Sequence, residues 1–293
     1  MSLPPHPLTP SPTEGEGEPL LPDAAKARLY ISLEITAMKF DELDAKMRVY
    51  ETAHDHCVLP GLYMIARLDG RGFTRLTREV HPFSAPFDQR FRDAMILTVE
   101  HLMNCGLKVI YGYTQSDEIS LLFDVAESAF NRKLRKLNSV LAGEASAKFS
   151  LILGTVACFD CRLSQLPTIE TVVDYFRWRQ EDAHRNALNS HSYWCLRNDG
   201  KTARQATARL ERLSVADKNE LLFQHGINFN HLPNWHKRGV GLYWETYQKP
   251  GLNPLTDETT EATRKRIRQE FNLPMKDQYS QFIRDLLREI NPS

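Results

Sequence analysis

MIARLDGRGFTRLT, residues 64–77, carries an apolar strand-like run to Leu68 and then passes directly into Asp69-Gly70-Arg71-Gly72-Phe73. An Asp-Gly step is most often a tight turn, because glycine reaches the positive φ of a bend without steric cost. A carboxylate and two glycines where a buried strand leaves the core also suit a cation and a phosphate. The surrounding pattern has to decide between the two.

Downstream, FDQRFRDAMILTVEHLMNCG places Phe87, Phe91, Met95, Leu102 and Met103 on one helical face, with Gly106 as the stop. LKVIYGY and EISLLF are β-rich runs separated by Thr114-Gln115-Ser116-Asp117, which predicts a hairpin. A second helix is expected over 127–148, and TVACFDCRL reads as a fourth strand. The order β-α-β-β-α-β predicts an α+β fold, a split ferredoxin-like antiparallel sheet with two helices on one face. Further on, TVVDYFRWRQEDAHRNALNSHSYWCLR is a long helix, and Ser214 has N-cap character for VADKNELLFQ. GVGLYWE reads as a strand, and two polar helices are expected after Thr256.

Upstream, Phe40, Leu43 and Met47 at helical spacing predict a helix over 33–50. Residues 1–24 hold seven of the 16 prolines and an acidic Gly-Glu run, so they are expected to be a disordered tail. The expected division is a tail (1–24), a catalytic domain with helical elaborations (25–245) and a C-terminal helical segment (246–293).

Composition narrows the function class. With 42% hydrophobic and 25% charged residues the chain is an ordinary globular one, and its zero formal charge supplies no global attraction for polyanions. No apolar run approaches the ~20 residues of a membrane span, and no secretory signal is visible. The odd set Cys57, Cys105, Cys158, Cys161 and Cys195 fits reduced thiols in the cytoplasm. The lone Cys158-x-x-Cys161 has no second pair at zinc spacing and reads as buried thiols.

In a split sheet the first and third strands are neighbours, so Asp69 and Asp117 should converge from segments far apart in sequence. Unneutralised, they would repel, and one pKa would rise. Mg²⁺ favours one or two carboxylates plus phosphate oxygens. Two such ions roughly 3.5–4 Å apart stabilise the attacking and leaving oxygens of a phosphoryl transfer. Gly70 and Gly72 would let backbone N–H groups approach a triphosphate, and Arg71 could grip a phosphate bidentately.

RLDGRGFTRL followed by YGYTQSDEISLLF resembles the tRNA-histidine guanylyltransferases and their guanylyltransferase-like relatives. AxFDxR (157–162), WRQEDAHRN (178–186), ADKNELLF (216–223) and INFN (227–230) match in the same order. The resemblance implies a polymerase-like palm that joins nucleotides to a tRNA 5′ end in the 3′–5′ direction. ATP would activate the 5′-phosphate and GTP would be added. It implies two Mg²⁺ ions on Asp69, Asp117 and the Gly70 carbonyl, with catalytic support from Glu118. Asp69, Gly70, Arg71, Gly72, Phe73, Thr74, Ser116 and Asp117 would contact the nucleotide. It also implies a homotetramer or homodimer.

Among basic residues, Arg132, Lys133, Arg135 and Lys136 cluster where the family is also basic. His184, Arg185, Asn186, Lys218 and Asn219 fall in matched blocks. Of these, Arg132, Lys133, Lys136, His184, Arg185, Asn186, Lys218 and Asn219 are expected to contact tRNA. Phe73, Trp178, Tyr193 and Trp194 could stack on bases, though core packing is the commoner use.

Three departures stand out. Arg185 replaces a family Ile, Ala85 and Phe87 replace a Lys and an Asn, and Cys161 replaces a Gly. They resemble the bacterial and archaeal branch and lean the expectation toward template-dependent repair of 5′-truncated tRNA. Two rival readings are a palm-type nucleotide cyclase or diguanylate-like synthase, and a non-catalytic tRNA-binding protein.

Overall fold

The computed structural model describes residues 39–252 and 259–290. The expected Pro-rich tail, and the part of the expected first helix before residue 39, lie outside the described residues. Residues up to His54 and those from Asp55 onward form separate units. The first contributes α1 (Phe40–Thr52), on which no residue is buried.

The second unit is built on one antiparallel sheet. Its strands are β1 (Tyr63–Arg71), β2 (Val109–Gln115), β3 (Glu118–Phe123), β4 (Cys158–Leu166), β5 (Val240–Leu252) and β6 (Thr259–Glu270), in the spatial order β4-β1-β3-β2-β5-β6. The first four have the expected split order, with β1 between β4 and β3.

Strand alternation sends Ala66, Leu68, Ile119, Leu121 and Phe123 to one face. There they pack on α3 (Gln89–Met103) through Met95, Val99 and Leu102, and on α4 (Leu134–Leu153) through Leu137, Leu141 and Phe149. Ile65, Tyr111, Tyr113 and Leu122 face the other way. They pack on Val172 and Phe176 of α5 (Ile169–Asn198) and on Tyr279, Ile283 and Leu287 of α9 (Lys276–Ile290). At ~1.5 Å per residue the 30-residue α5 runs roughly 45 Å. Its first half covers the sheet; its second half continues past it to pack Ala187, Leu188 and Cys195 on Leu222 of α7 (Val215–Gln224) and on Phe229. α6 (Ala203–Leu210) and α8 (Asn234–Arg238) complete that end.

Helix starts follow their caps. Thr168, Thr202 and Ser214 each accept from the backbone N–H three residues on, and the residue at that position answers to the cap backbone. Asp88 caps α3.

The expectation of helices throughout 246–293 is corrected. Thr259–Glu270 is a strand, and among the described residues of that range only Lys276–Ile290 is helical. TTEATRKRIRQE offers Thr259, Thr260, Thr263 and Ile267 as β-branched residues, and twelve consecutive residues pair with β5. Cross-strand pairing decides the state that the exposed Arg and Lys residues leave open. The helix expected over 127–148 is shifted, because Ala129–Arg132 form a 3₁₀ turn with positive φ at Phe130, Asn131 and Arg132 before α4 begins.

Candidate active site

Asp69-Gly70 is not a turn. β1 runs through it to Arg71, pairing Asp69 with Asp160 of β4 on one side and Glu118 of β3 on the other. Register partners point to the same face, so Asp160, Asp69 and Glu118 form a row across three strands on the α5 side. The bend comes at Gly72, whose φ of 74° lies in the left-handed region. α2 (Phe73–Arg75) starts directly after it and runs on as a π-helical turn, Leu76–Val80.

Gly70 is required for another reason. A Cβ at that position would meet the Phe73 ring at 2.6 Å. Phe73 itself is buried within a cluster of rings, with centroids 4.9 Å from Phe159 and 5.2 Å from Phe149. The expectation that Gly70 N–H is offered to a phosphate is corrected, since that N–H donates to the Asp117 carbonyl at 3.1 Å. This bond ties the end of β1 to the β2–β3 turn, where Ser116 takes a φ of 55° and its hydroxyl donates to the Asp117 carboxylate at 3.1 Å.

The two aspartates therefore sit together. Burial, followed by the charges of Glu118 and Asp160, raises the Asp69 pKa; Arg67 and Arg162 oppose this only in part. Burial also raises the Asp117 pKa, with the Asp69 charge adding to it. A partly buried pair of carboxylates whose charges disfavour one another fits a cation. Among the described residues no group of three or more His, Cys, Asp or Glu forms a metal cage.

Glu118 is placed differently. Arg67 and Arg179 both donate to its carboxylate, and Arg179 also reaches Asp182 at 3.2 Å while its guanidinium lies 4.7 Å over Trp178. Beside Asp117 opens a cleft of about 230 Å³ lined by Thr74, Ser116, Asp117, Phe87, Arg92 and Trp194, among others; Asp69 is not part of its lining. Arg71 is exposed. Phe87 stacks on His236 at 4.7 Å, and His236 Nδ1 lies 3.3 Å from His191 Nε2.

The expected tRNA residues separate into different settings. Arg132 is buried and donates to the carbonyls of Leu62, Val125 and Glu127. Lys133 and Arg135 are held by Asp55, and Lys136 is exposed. His184 is half-buried, 5.3 Å from the Phe229 ring. Arg185 and Asn186 both donate to Asp182, at 3.0 and 3.3 Å. Lys218 lines a second hollow with Arg78, Tyr193 and Trp194, whereas Asn219 donates to the Val215 carbonyl. Cys158 and Cys161, three residues apart on β4, point to opposite faces, and burial pushes the Cys161 thiol up to about 12.

Sequence reasoning missed Asp160, Arg179 and Asp182 as neighbours of the site. Asp160 stood within AxFDxR, but only strand register puts it beside Asp69.

Comparison with known proteins agrees with this geometry. The family description "Thg1: tRNAHis guanylyltransferase" matches residues 44–167, and "Thg1 C terminal domain" matches residues 170–284. The chain belongs to the tRNA-histidine guanylyltransferase family. It is thereby a nucleotidyltransferase. A probable tRNA(His) guanylyltransferase of Drosophila melanogaster is 34% identical, over 64% of this chain and 69% of its own length. The tRNA(His) guanylyltransferase of Debaryomyces hansenii is 33% identical, over 74% and 88%. A bacterial tRNA(His) guanylyltransferase-like protein solved in complex with GTP superposes with a TM-score of 0.66 at 27% identity, covering 84% of this chain and 98% of that one. The same kind of protein solved with ATP also gives 0.66, at 26% identity. The palm-like fold expected from the resemblance is thus shared with solved members of the family. Among the described residues no helix is long and apolar enough to cross a membrane.

Proposed function

We propose that this chain joins nucleotides to the 5′ end of tRNA in the 3′–5′ direction, as an Mg²⁺-dependent enzyme that favours template-dependent repair of shortened 5′ ends. The observation carrying the reading is that the Gly70 N–H bond to the Asp117 carbonyl stitches β1 to the β2–β3 turn, so that the Asp69 charge bears on a second carboxylate, Asp117, which lines a cleft. Asp69, Asp117 and the Gly70 carbonyl would hold Mg²⁺, which when bound screens phosphate charge and polarises the reacting phosphoryl group. ATP and GTP, each bound to a family member of known structure, are the proposed activating and added nucleotides.

The chain's own residues supply position. The Gly70–Asp117 bond fixes one carboxylate against the other. Thr74 and Ser116 line the cleft together with Asp117. Arg67 and Arg179 keep Glu118 oriented in the same row. The lean toward repair rests on the departures from the eukaryotic pattern. Ala85 and Phe87 line the cleft where eukaryotic members usually carry Lys and Asn, and Phe87 joins a ring cluster instead of offering an amide.

Two assays test this. Asp69→Ala or Asp117→Ala should abolish transfer of labelled GTP to tRNA while the circular dichroism spectrum is unchanged; transfer retained by either variant removes the metal assignment. Given full-length tRNA-histidine and a tRNA lacking its first nucleotide, the enzyme should extend the shortened one faster. Preference for the intact tRNA would overturn the repair reading.

A further inference from the structure

One run of charged contacts leads from the aspartates to the protein surface. Arg67 and Arg179 flank Glu118, the register partner of Asp69. The Arg179 side chain is 6% exposed and divides its guanidinium between Glu118 and Asp182. Asp182 is itself shared: one oxygen accepts from Arg179 at 3.2 Å, the other from Arg185 at 3.0 Å. The Arg185 side chain, at the far end, is 74% exposed. Arg179, Asp182 and Arg185 occupy one face of α5 at three-residue spacings, so the helix holds them in line.

We propose that Asp182 and Arg179 are positioning residues that set how much of the Glu118 charge reaches the Asp69–Asp117 position, and that Arg185 is the surface group through which a polynucleotide phosphate adjusts that setting. The logic is competition for shared partners. Arg179 drawn toward Glu118 neutralises it. Arg179 drawn toward Asp182 leaves Glu118 more negative beside Asp69. A phosphate that engages Arg185 removes one cation from Asp182, strengthens the hold of Asp182 on Arg179 and loosens that of Glu118. Substrate arrival thereby raises cation affinity at the aspartates, and by linkage cation binding raises affinity for the polyanion.

This rests on the metal reading of Asp69 and Asp117, and the test separates the two. Mn²⁺ serves as the probe, with its dissociation constant measured by calorimetry on the full chain. Asp69→Asn should weaken Mn²⁺ strongly; if it does not, the metal reading fails and this inference with it. Given that response, Asp182→Asn should weaken Mn²⁺ roughly threefold, because Arg179 then rests wholly on Glu118, and Arg185→Ala should tighten it by about twofold. Because removing a negative or a positive charge gives those two signs by direct Coulomb attraction alone, the deciding variant removes the shared partner: in an Arg179→Gln background Asp182→Asn should no longer shift the Mn²⁺ constant, and a persisting threefold loss overturns the inference. The same sign, or no shift in either, overturns the inference while leaving the metal site standing. A parallel measurement closes the cycle. Saturating Mn²⁺ should improve the Kd of a tRNA transcript more for the wild type than for Arg185→Ala, and equal gains would also overturn it.

Discussion

Two charged regions of this chain attract attention in the sequence, and the structure treats them in opposite ways. At the end of β1 and in the β2–β3 turn, acidic groups are brought together with cations too few or too distant to neutralise them, so Asp69 and Asp117 hold their protons more tightly than free aspartate. At the entrance to α4, basic groups meet their partners inside the chain. Arg132 is capped by three carbonyls, and Lys133 and Arg135 by Asp55, whose carboxyl they hold well below the usual range. A run of like charge in sequence does not say which case it is. What distinguishes a ligand site from a structural joint is whether the fold leaves the charge without a counter-charge.

That contrast can be broken most sharply at Asp117. Asp117→Asn should lower nucleotide transfer by at least about 10³-fold, yet raise the melting temperature of the metal-free protein, because one of two opposed charges is gone. A fall in both would mean that the carboxylate serves the fold. Arg132→Ala should do the reverse. It leaves one buried and two partly buried carbonyls without their donor, costing about 3 kcal/mol in denaturant unfolding, while the tRNA Kd of the remaining folded protein stays unchanged. A smaller effect separates two lysines. Lys218→Ala, in the open hollow beside Trp194, should weaken tRNA binding several-fold, and Lys133→Ala less than about twofold.

The His191–His236 pair offers a pH test of burial next to the cleft. Burial first, then neighbouring cations, pushes each down to about 4. Their unfolded values lie near about 6.5, so the unfolded chain takes up protons before the folded one does. Stability should therefore fall as pH drops from about 6.5 toward 4. His236→Gln should flatten that slope in a urea titration series.

Much of this was legible in the sequence because it followed from period and order. Near-continuous apolar runs over residues 62–68 and 118–123 and the β-α-β-β-α-β succession place β1 beside β3, and that alone predicts the meeting of Asp69 and Asp117. The glycines were harder. The role of Gly70 depends on a ring three residues on folding back over it, and no local signal says where Phe73 goes. Glu118 was open for a related reason: its partner Arg179 lies 61 residues away on a helix. The strand Thr259–Glu270 was missed because it is charged and exposed, and only the presence of β5 alongside makes it extended.

That outermost strand has a consequence of its own. The sheet ends at β6, and Arg264, Lys265, Arg266 and Arg268 crowd five consecutive positions of its rim. Glu261 and Glu270 bracket that basic stretch, and Arg266 and Arg268 are paired with Glu245 and Glu270 within the chain. Any chain that zips onto this border through backbone hydrogen bonds would have to match a rim acidic at both ends and basic between them.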